Sequence, residues 1–258
     1  MSIKALLKKG IEQGTFKDIL YKYREFGERT NEIIINSEFY FAPPNSFNDP
    51  FDCNLSYKDK YSKQEILQSY KWYVEKYPHI KVSDLKQHFG IKAKTFTKGF
   101  SKLYSDMANN TGILSLSTDN KNITMWSHYA RNHTGLVFEL DVKEDYDFFD
   151  LYGIVEYKDE YQLLSYAKDR AKELPKQFLT KYTDWEYEKE IRIINYKQFG
   201  IKKFNKSTLK TIYFGCKANK SDIRHIIQLC KNYGFEHVEF QKAEMKKGEF
   251  AIEFNKIT

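Results

Sequence analysis

The chain has 258 residues, 41% hydrophobic and 17% aromatic, with a formal net charge of +7 and a pI near 9.0. That apolar content suffices for a packed core and excludes a disordered chain, while the basic balance is compatible with a polyanionic or phosphate-bearing partner. The three cysteines, Cys53, Cys216 and Cys230, show no CxxC spacing, which argues against a disulfide framework or a zinc site and fits a reducing compartment.

The opening MSIKALLKKG is too short and too charged for a signal peptide, and no apolar run is long enough to span a bilayer. A cytoplasmic protein without a membrane partner is therefore expected. From Ile19, ILYKYREF alternates aromatic and basic residues and predicts a strand. TNEIIIN, residues 30–36, predicts a short helix with Thr30 as its N-cap, and SEFYFAPP a second strand halted by Pro43 and Pro44. NSFNDPFDC is turn chemistry, with Asn48 and Asp49 ahead of Pro50. From about Ser62 to Asn110 the periodicity is helical, with Ser62 and Ser83 as cap candidates and Gly90 placed as a C-cap. No linker or internal repeat interrupts the chain. The expectation is one domain, residues 1–258, carrying a helical insertion lobe at 58–110.

Strands resume at GILSLST from Gly112, followed by a helix ITMWSHYA, strands GLVFELDV and YGIVEY, and a helix QLLSYAKDRAKELPKQFL. The next stretch, TDWEYEKEIRII over 183–194, places Glu186, Glu188 and Glu190 at every second position and Arg192 in the same phase. Residues at i and i+2 share a face in a strand but not in a helix, so this spacing predicts a strand with its charges on one side. The tail reads as a strand IYFG, a helix from about Ser221 to Tyr233 stopped by Gly234, and closing strands HVEFQKA and EFAIEFN. Strands at the ends and helices in the middle give an α+β fold rather than an alternating βαβ one.

Four polar clusters interrupt otherwise apolar strands or adjoin them. They are Tyr21, Tyr23 and Arg24; Asn48, Asp49 and Asp52; Ser115 and Ser117 with Trp126, His128, Tyr129 and His133; and the glutamate row with Trp185 and Arg192. Charges on strands face each other or a ligand, because an unpartnered buried charge is expensive. A cleft lined by arginine, tyrosine, serine and glutamate fits a sugar-containing, phosphate-bearing ligand. His128 and His133 stand five apart without an HExxH, so no metal is expected. GxGxxG, the P-loop and Gly-x-Ser-x-Gly are all absent.

LYKYR, FYFAPPNSFNDPFDC, GILSLS, MWSHYARNHTGLVFELD and WEYEKEIR occur in this order. Together they resemble the bacterial family known as domain of unknown function 2971, whose members look like accessory or phage-defence genes. GILSLSTDNKNITMWSHYARNHTGLVFELDV is also similar in layout to the middle of ADP-ribosyltransferases. That resemblance implies an ADP-ribosyltransferase-like split β core and NAD as the bound substrate. By its pattern Arg24 takes the early position, Ser117 or Tyr129 the middle one, and Glu188 or Glu190 that of the catalytic carboxylate. Tyr21, Tyr23, Arg24, Asn48, Asp49, Ser115, Ser117, Trp126, His128 and Arg192 are then the expected cofactor-binding set, with Glu188, Glu190 and Tyr129 catalytic. The acceptor of ADP-ribose would be nucleic acid, protein or water. The alternatives are a nucleic-acid-binding or nuclease-like defence effector that does not use NAD, and a non-catalytic sensor of a phage component.

Overall fold

The computed structural model describes residues 2–161, 163–165, 167, 170–196 and 198–257, with the side chains of 170–172 outside that description. An amphipathic helix α1 (Ile3–Glu12) opens the chain and is followed by β1 (Ile19–Arg24), α2 (Glu28–Asn36) and β2 (Glu38–Phe41). The lobe helices are α3 (Lys63–Lys76), α4 (Val82–Phe89) and α5 (Ala93–Asn110). Then come β3 (Gly112–Ser117), α6 (Ile123–Tyr129), β4 (Leu136–Asp141), β5 (Tyr152–Ile154), β6 (Glu156–Lys158), α7 (Arg170–Leu179) and β7 (Thr180–Tyr182). The chain closes through β8 (Glu190–Asn195), β9 (Gly200–Lys203), β10 (Leu209–Phe214), α8 (Lys220–Asn232), β11 (Glu239–Met245) and β12 (Ile252–Lys256).

The main sheet runs β12-β11-β10-β4-β1-β3-β8-β5, and only its β10–β11 neighbours are parallel. Two small sheets, β2-β9 and β6-β7, flank it. The junction of β1 with β3 differs from the rest. β1 pairs with β4 along its whole length, from Ile19↔Asp141 to Arg24↔Leu136, yet meets β3 only at Tyr21↔Ser117. Beyond that pair the sheet is split.

Alternation along the strands sorts the residues by face. Leu20, Leu114, Leu116, Phe138, Ile191 and Ile193 join the large core that α2 and α8 cover with Ile33, Ile34, Ile223 and Ile226. On the opposite face Tyr23, Val137 and Tyr213 pack with Met125 and Trp126 of α6. The lobe has its own aromatic core, in which Ile66, Tyr70, Phe96 and Phe100 meet Ile113, Ile194 and Phe178. α3 begins with a reciprocal cap: the Ser62 hydroxyl accepts from the Glu65 amide at 3.1 Å, and the Glu65 carboxylate accepts from the Ser62 amide at 2.7 Å.

Several expectations need correction. Thr30 lies inside α2, whose N-cap is Gly27; its hydroxyl donates to the Glu25 carbonyl at 2.7 Å instead. α4 starts from Lys81 rather than Ser83. YGIVEY is broken at Val155 into strands of two different sheets. Of the long helix predicted from Gln162, the segment Arg170–Leu179 is helical; Leu163 to Ser165 are not, and Gln162, Tyr166, Lys168 and Asp169 lie outside the described residues. The predicted strand over 183–194 is the largest departure. Thr183–Glu188 is a 3-10 turn, Lys189 is left-handed (φ 45°, ψ 51°), and the strand begins only at Glu190.

Candidate functional site

The split between β1 and β3 opens a cleft of about 480 Å³. β1 gives it Tyr21, Lys22 and Tyr23, β3 gives Ser115 to Ser117, α6 gives Met125, His128 and Tyr129, and the loop after β2 gives Ser46, Phe47, Asn48 and Asp52. Lys181, Glu188 and Glu190 form its charged floor. The register explains the polar wall: Ser115 lies opposite Arg192 and Ser117 opposite Glu190, all on one face, while Leu114 and Leu116 turn into the core behind.

Glu188 is placed by its neighbours on three elements. The Ser117 hydroxyl donates to its carbonyl at 2.7 Å, the Asn122 side chain donates to the Tyr187 carbonyl at 3.0 Å, and the Thr118 amide donates to the Lys189 carbonyl at 3.1 Å. The Tyr129 hydroxyl donates to one carboxylate oxygen of Glu188, and the Lys181 ammonium donates to the other at 2.5 Å. Lys181 also reaches Glu190 at 3.2 Å and Asp52 at 3.6 Å. Beneath it Arg192, with no exposed surface, binds Glu190 through Nε at 2.9 Å and Nη2 at 3.0 Å, Asp52 at 2.6 Å, and the Phe178 carbonyl at 2.7 Å.

The two glutamates titrate in opposite directions. Burial opposes the charge of Glu190, but Arg192 and Lys181 outweigh it and hold the carboxyl down at about 2. Glu188 is pushed up by its own burial and by the charge of Glu190, with Lys181 opposing. Two carboxylates whose surroundings separate their ionisation in this way are a hallmark of acid–base sites. Asp52, Glu188 and Glu190 form ion pairs with Lys181 and Arg192, and Lys22, which lines the same cleft and feels the charge of Glu188 and Glu190, is a third cation beside these three carboxylates. Carboxylates fixed in this way can meet a group that gains positive charge beside them.

On the other face of the sheet lies a groove of about 670 Å³ lined by Lys22, Arg24 and Arg29. Lys22 borders both openings, and its ammonium donates across the split to the Ser115 carbonyl at 2.7 Å. Burial and then the Arg24 charge bring it down to about 8. Burial and the neighbouring Arg29 likewise lower Arg24, against the pull of Glu25. None of these cations forms an ion pair among the described residues, although Glu32 and Glu38 share the groove.

Of the residues singled out from sequence, Tyr21, Tyr23, Asn48, Ser115, Ser117, His128, Tyr129, Glu188 and Glu190 line the cleft. Arg24 does not; it lies in the opposite groove. Asp49 lines a neighbouring opening. Trp126 is wholly buried, its indole donating to the Asn120 carbonyl at 2.7 Å and its ring meeting Tyr23 edge-on, so it supports the wall from behind. Arg192 is the buried anchor of Glu190 and Asp52 rather than a wall residue. His133 bonds Ser127 at 3.1 Å and lies outside the cleft. Lys22 and Lys181 went unrecognised in the sequence: each is a single lysine in a lysine-rich chain, and only the fold sets them among carboxylates or at the split.

Among the described residues no group of histidine, cysteine, aspartate and glutamate is gathered to hold a metal, and no helix is long and apolar enough to cross a membrane. Neither a search of curated proteins nor one of solved structures gives a match. The segment that carries Tyr129, Lys181 and both cleft glutamates, residues 125–193, matches the family model described as Protein of unknown function (DUF2971).

Proposed function

We propose that the chain binds NAD in the cleft at the strand split and cleaves its nicotinamide–ribose bond, transferring ADP-ribose to an acceptor. The observation that carries this reading is the opening of the sheet between β1 and β3 directly above a buried floor in which Glu188 and Glu190 are held fixed. A nicotinamide ring is cationic, and its ribose carbon gains positive charge as the bond breaks. Carboxylate charge held in place before the reaction stabilises both. The electron pair of the broken bond leaves with nicotinamide, the acceptor forms the new bond to that carbon, and the acceptor's proton passes to a base. Glu188 suits that base, because its raised pKa makes it more basic than an ordinary carboxylate and Tyr129 fixes its orientation. Tyr21, Tyr23 and Phe47 offer flat faces for a ring, and Ser115 and Asn48 offer hydroxyl and amide partners for sugar oxygens.

The test is NAD consumption by the purified chain, alone and with protein, RNA and DNA, followed by mass spectrometry of each acceptor. The expected result is release of nicotinamide with an ADP-ribose mass on one acceptor, lost in Glu188→Gln. No nicotinamide release with any acceptor overturns the reading.

A second reading has its own observation in the groove of Lys22, Arg24 and Arg29, whose mutually repelling cations suit nucleic-acid phosphates without any chemistry. Under it, oligonucleotide binding would weaken steeply with salt, and Arg29→Gln would lower the logarithmic salt slope by about 1. A slope unchanged in that variant removes it.

A further inference from the structure

The acceptor is left open by the first cleft, and a second cleft beside it bears on the choice. It holds about 510 Å³ and shares Asn48, Asp52 and Lys181 with its neighbour, so Lys181 stands in the wall between them. Its lining is aromatic: Phe51, Tyr161 and Tyr182 are 69%, 51% and 50% exposed, and Trp185 lies under the Lys181 ammonium at 4.9 Å. Large aromatic side chains left in water around one opening are the composition of a recognition surface.

The rim is acidic although the chain as a whole carries +7. Asp49, Asp159 and Glu160 line the cleft and form no ion pair among the described residues, whereas Lys158 is paired with Glu156 at 3.2 Å and Lys181 with Glu188 at 2.5 Å. A further sign lies at the junction of the two clefts. Asp52 is 7% exposed and gives Oδ2 to Arg192 at 2.6 Å, while its Oδ1 is buried with no hydrogen-bond partner among the described residues. A buried acceptor lacking a donor is costly, and a donor brought by a ligand would satisfy it.

Acidic rim and aromatic walls together select a cation and repel phosphates. Aromatic faces attract cations through their quadrupole, and a guanidinium adds planar stacking and a fork of donors for carboxylates. We propose that the second cleft takes an arginine side chain of a partner protein and, on the transferase reading above, presents it as the acceptor of ADP-ribose. In that step a guanidinium nitrogen bonds the ribose carbon as its bond to nicotinamide breaks. The electron pair leaves with nicotinamide and the guanidinium's surplus proton goes to Glu188, so no oxidant or reductant is needed.

Binding is tested on the full chain without NAD, by calorimetry with a short capped glycine–serine peptide bearing one central arginine. The same peptide with citrulline, equal in shape but uncharged, is expected to bind at least about tenfold weaker. The double variant D159N/E160Q, confined to the exposed rim, is expected to lose a similar factor while its thermal unfolding stays unchanged. Equal affinity for citrulline, an unaffected double variant, displacement of the peptide by mixed-sequence single-stranded DNA, or no binding at millimolar peptide would each overturn the site. A chain that holds the arginine peptide yet never releases nicotinamide would keep this site and remove the transferase reading; turnover without peptide selectivity would do the reverse.

Discussion

Glu190 is gripped at both oxygens by Arg192 and Lys181, whereas Glu188 shares one oxygen with Lys181 and the other with Tyr129. The two should therefore fail differently. Glu188→Gln keeps the shape and a hydrogen bond to Tyr129, so a fall of roughly 10²–10³ in turnover is expected with little change in stability. Glu190→Gln leaves Arg192 buried with only Asp52 as a charge partner. A loss of about 3 kcal/mol is expected from breaking such a pair, read in urea unfolding. Equal destabilisation by both would contradict this division. The pH dependence follows from the same geometry. Glu190 has a folded pKa depressed from 4.5 to about 2, so its contribution is present above pH 4.5 and fades as pH falls towards about 2; Glu190→Gln should flatten that part of the stability curve. Glu188 must be ionised to take a proton and its pKa is raised, so the acidic limb of activity should lie above the usual carboxylate range. Tyr129, Glu188 and Glu190 were marked in sequence by the polar clusters they belong to, although the strand spacing that singled out Glu188 falls in a 3-10 turn. Lys181 was not, since its identity as a buried ion-pair hub depends on Asp52, more than a hundred positions away in the chain.

At the scale of the element, the stretch from Thr183 to Asn195 shows what alternation can and cannot say. From Glu190 onward the period of two is real, and it puts Glu190 and Arg192 opposite Ser117 and Ser115. Upstream the same spacing is coincidence: the 3-10 turn leaves Glu186 exposed and turns Glu188 inward, and a left-handed Lys189 links turn to strand. Spacing cannot show a left-handed residue when that residue is lysine, because the usual marker is glycine. The contacts that hold it, from Ser117, Thr118 and Asn122, come from a distant part of the chain. A pair of variants isolates the backbone term. Lys189→Gly and Lys189→Ala both lose the exposed ammonium bond to Asp119, at 2.8 Å, and differ in the cost of the left-handed conformation. Glycine should be the more stable by about 1 kcal/mol in urea unfolding. Alanine equal to glycine would mean that the turn is not formed as described. Elsewhere the local signals served well: the Ser62 cap, the proline stop after β2 and the strand patterns of β1, β3 and β4 were readable because each is decided by neighbours in sequence. β7 and β9 were not, being short strands defined by distant partners.

For the whole molecule, the governing feature is that the main sheet is two half-sheets, β12-β11-β10-β4-β1 and β3-β8-β5, joined in backbone pairing at Tyr21↔Ser117. The α+β class was visible in the order of predicted elements, whereas a split core was expected only as what the resemblance implies and its place could not be read from the strand patterns. Strand signals report which residues pair with something, not where a pairing stops. Side chains take over at the gap, with Lys22 reaching Ser115 and Tyr23 donating to the Asp119 carbonyl at 2.7 Å. Backbone amides of β1 beyond Tyr21 that point towards β3 have no ladder partner there, so they should exchange with solvent faster than those pointing towards β4. A ligand lodged in the split touches both half-sheets and stabilises their joined state by mass action, by about 2.7 kcal/mol at a hundredfold excess over its Kd. Hydrogen exchange of the free chain is therefore expected to show fast amides along one edge of β1 and on the facing edge of β3, both slowed when saturating NAD is added. The Lys189 turn and the Glu188 amide should slow with them, because Ser117 ties that turn to the end of β3. Slowing confined to β1 would place the ligand on one half-sheet alone. Uniform protection of β1 before any ligand is added would mean that the sheet is closed and the cleft is not an opening between strands.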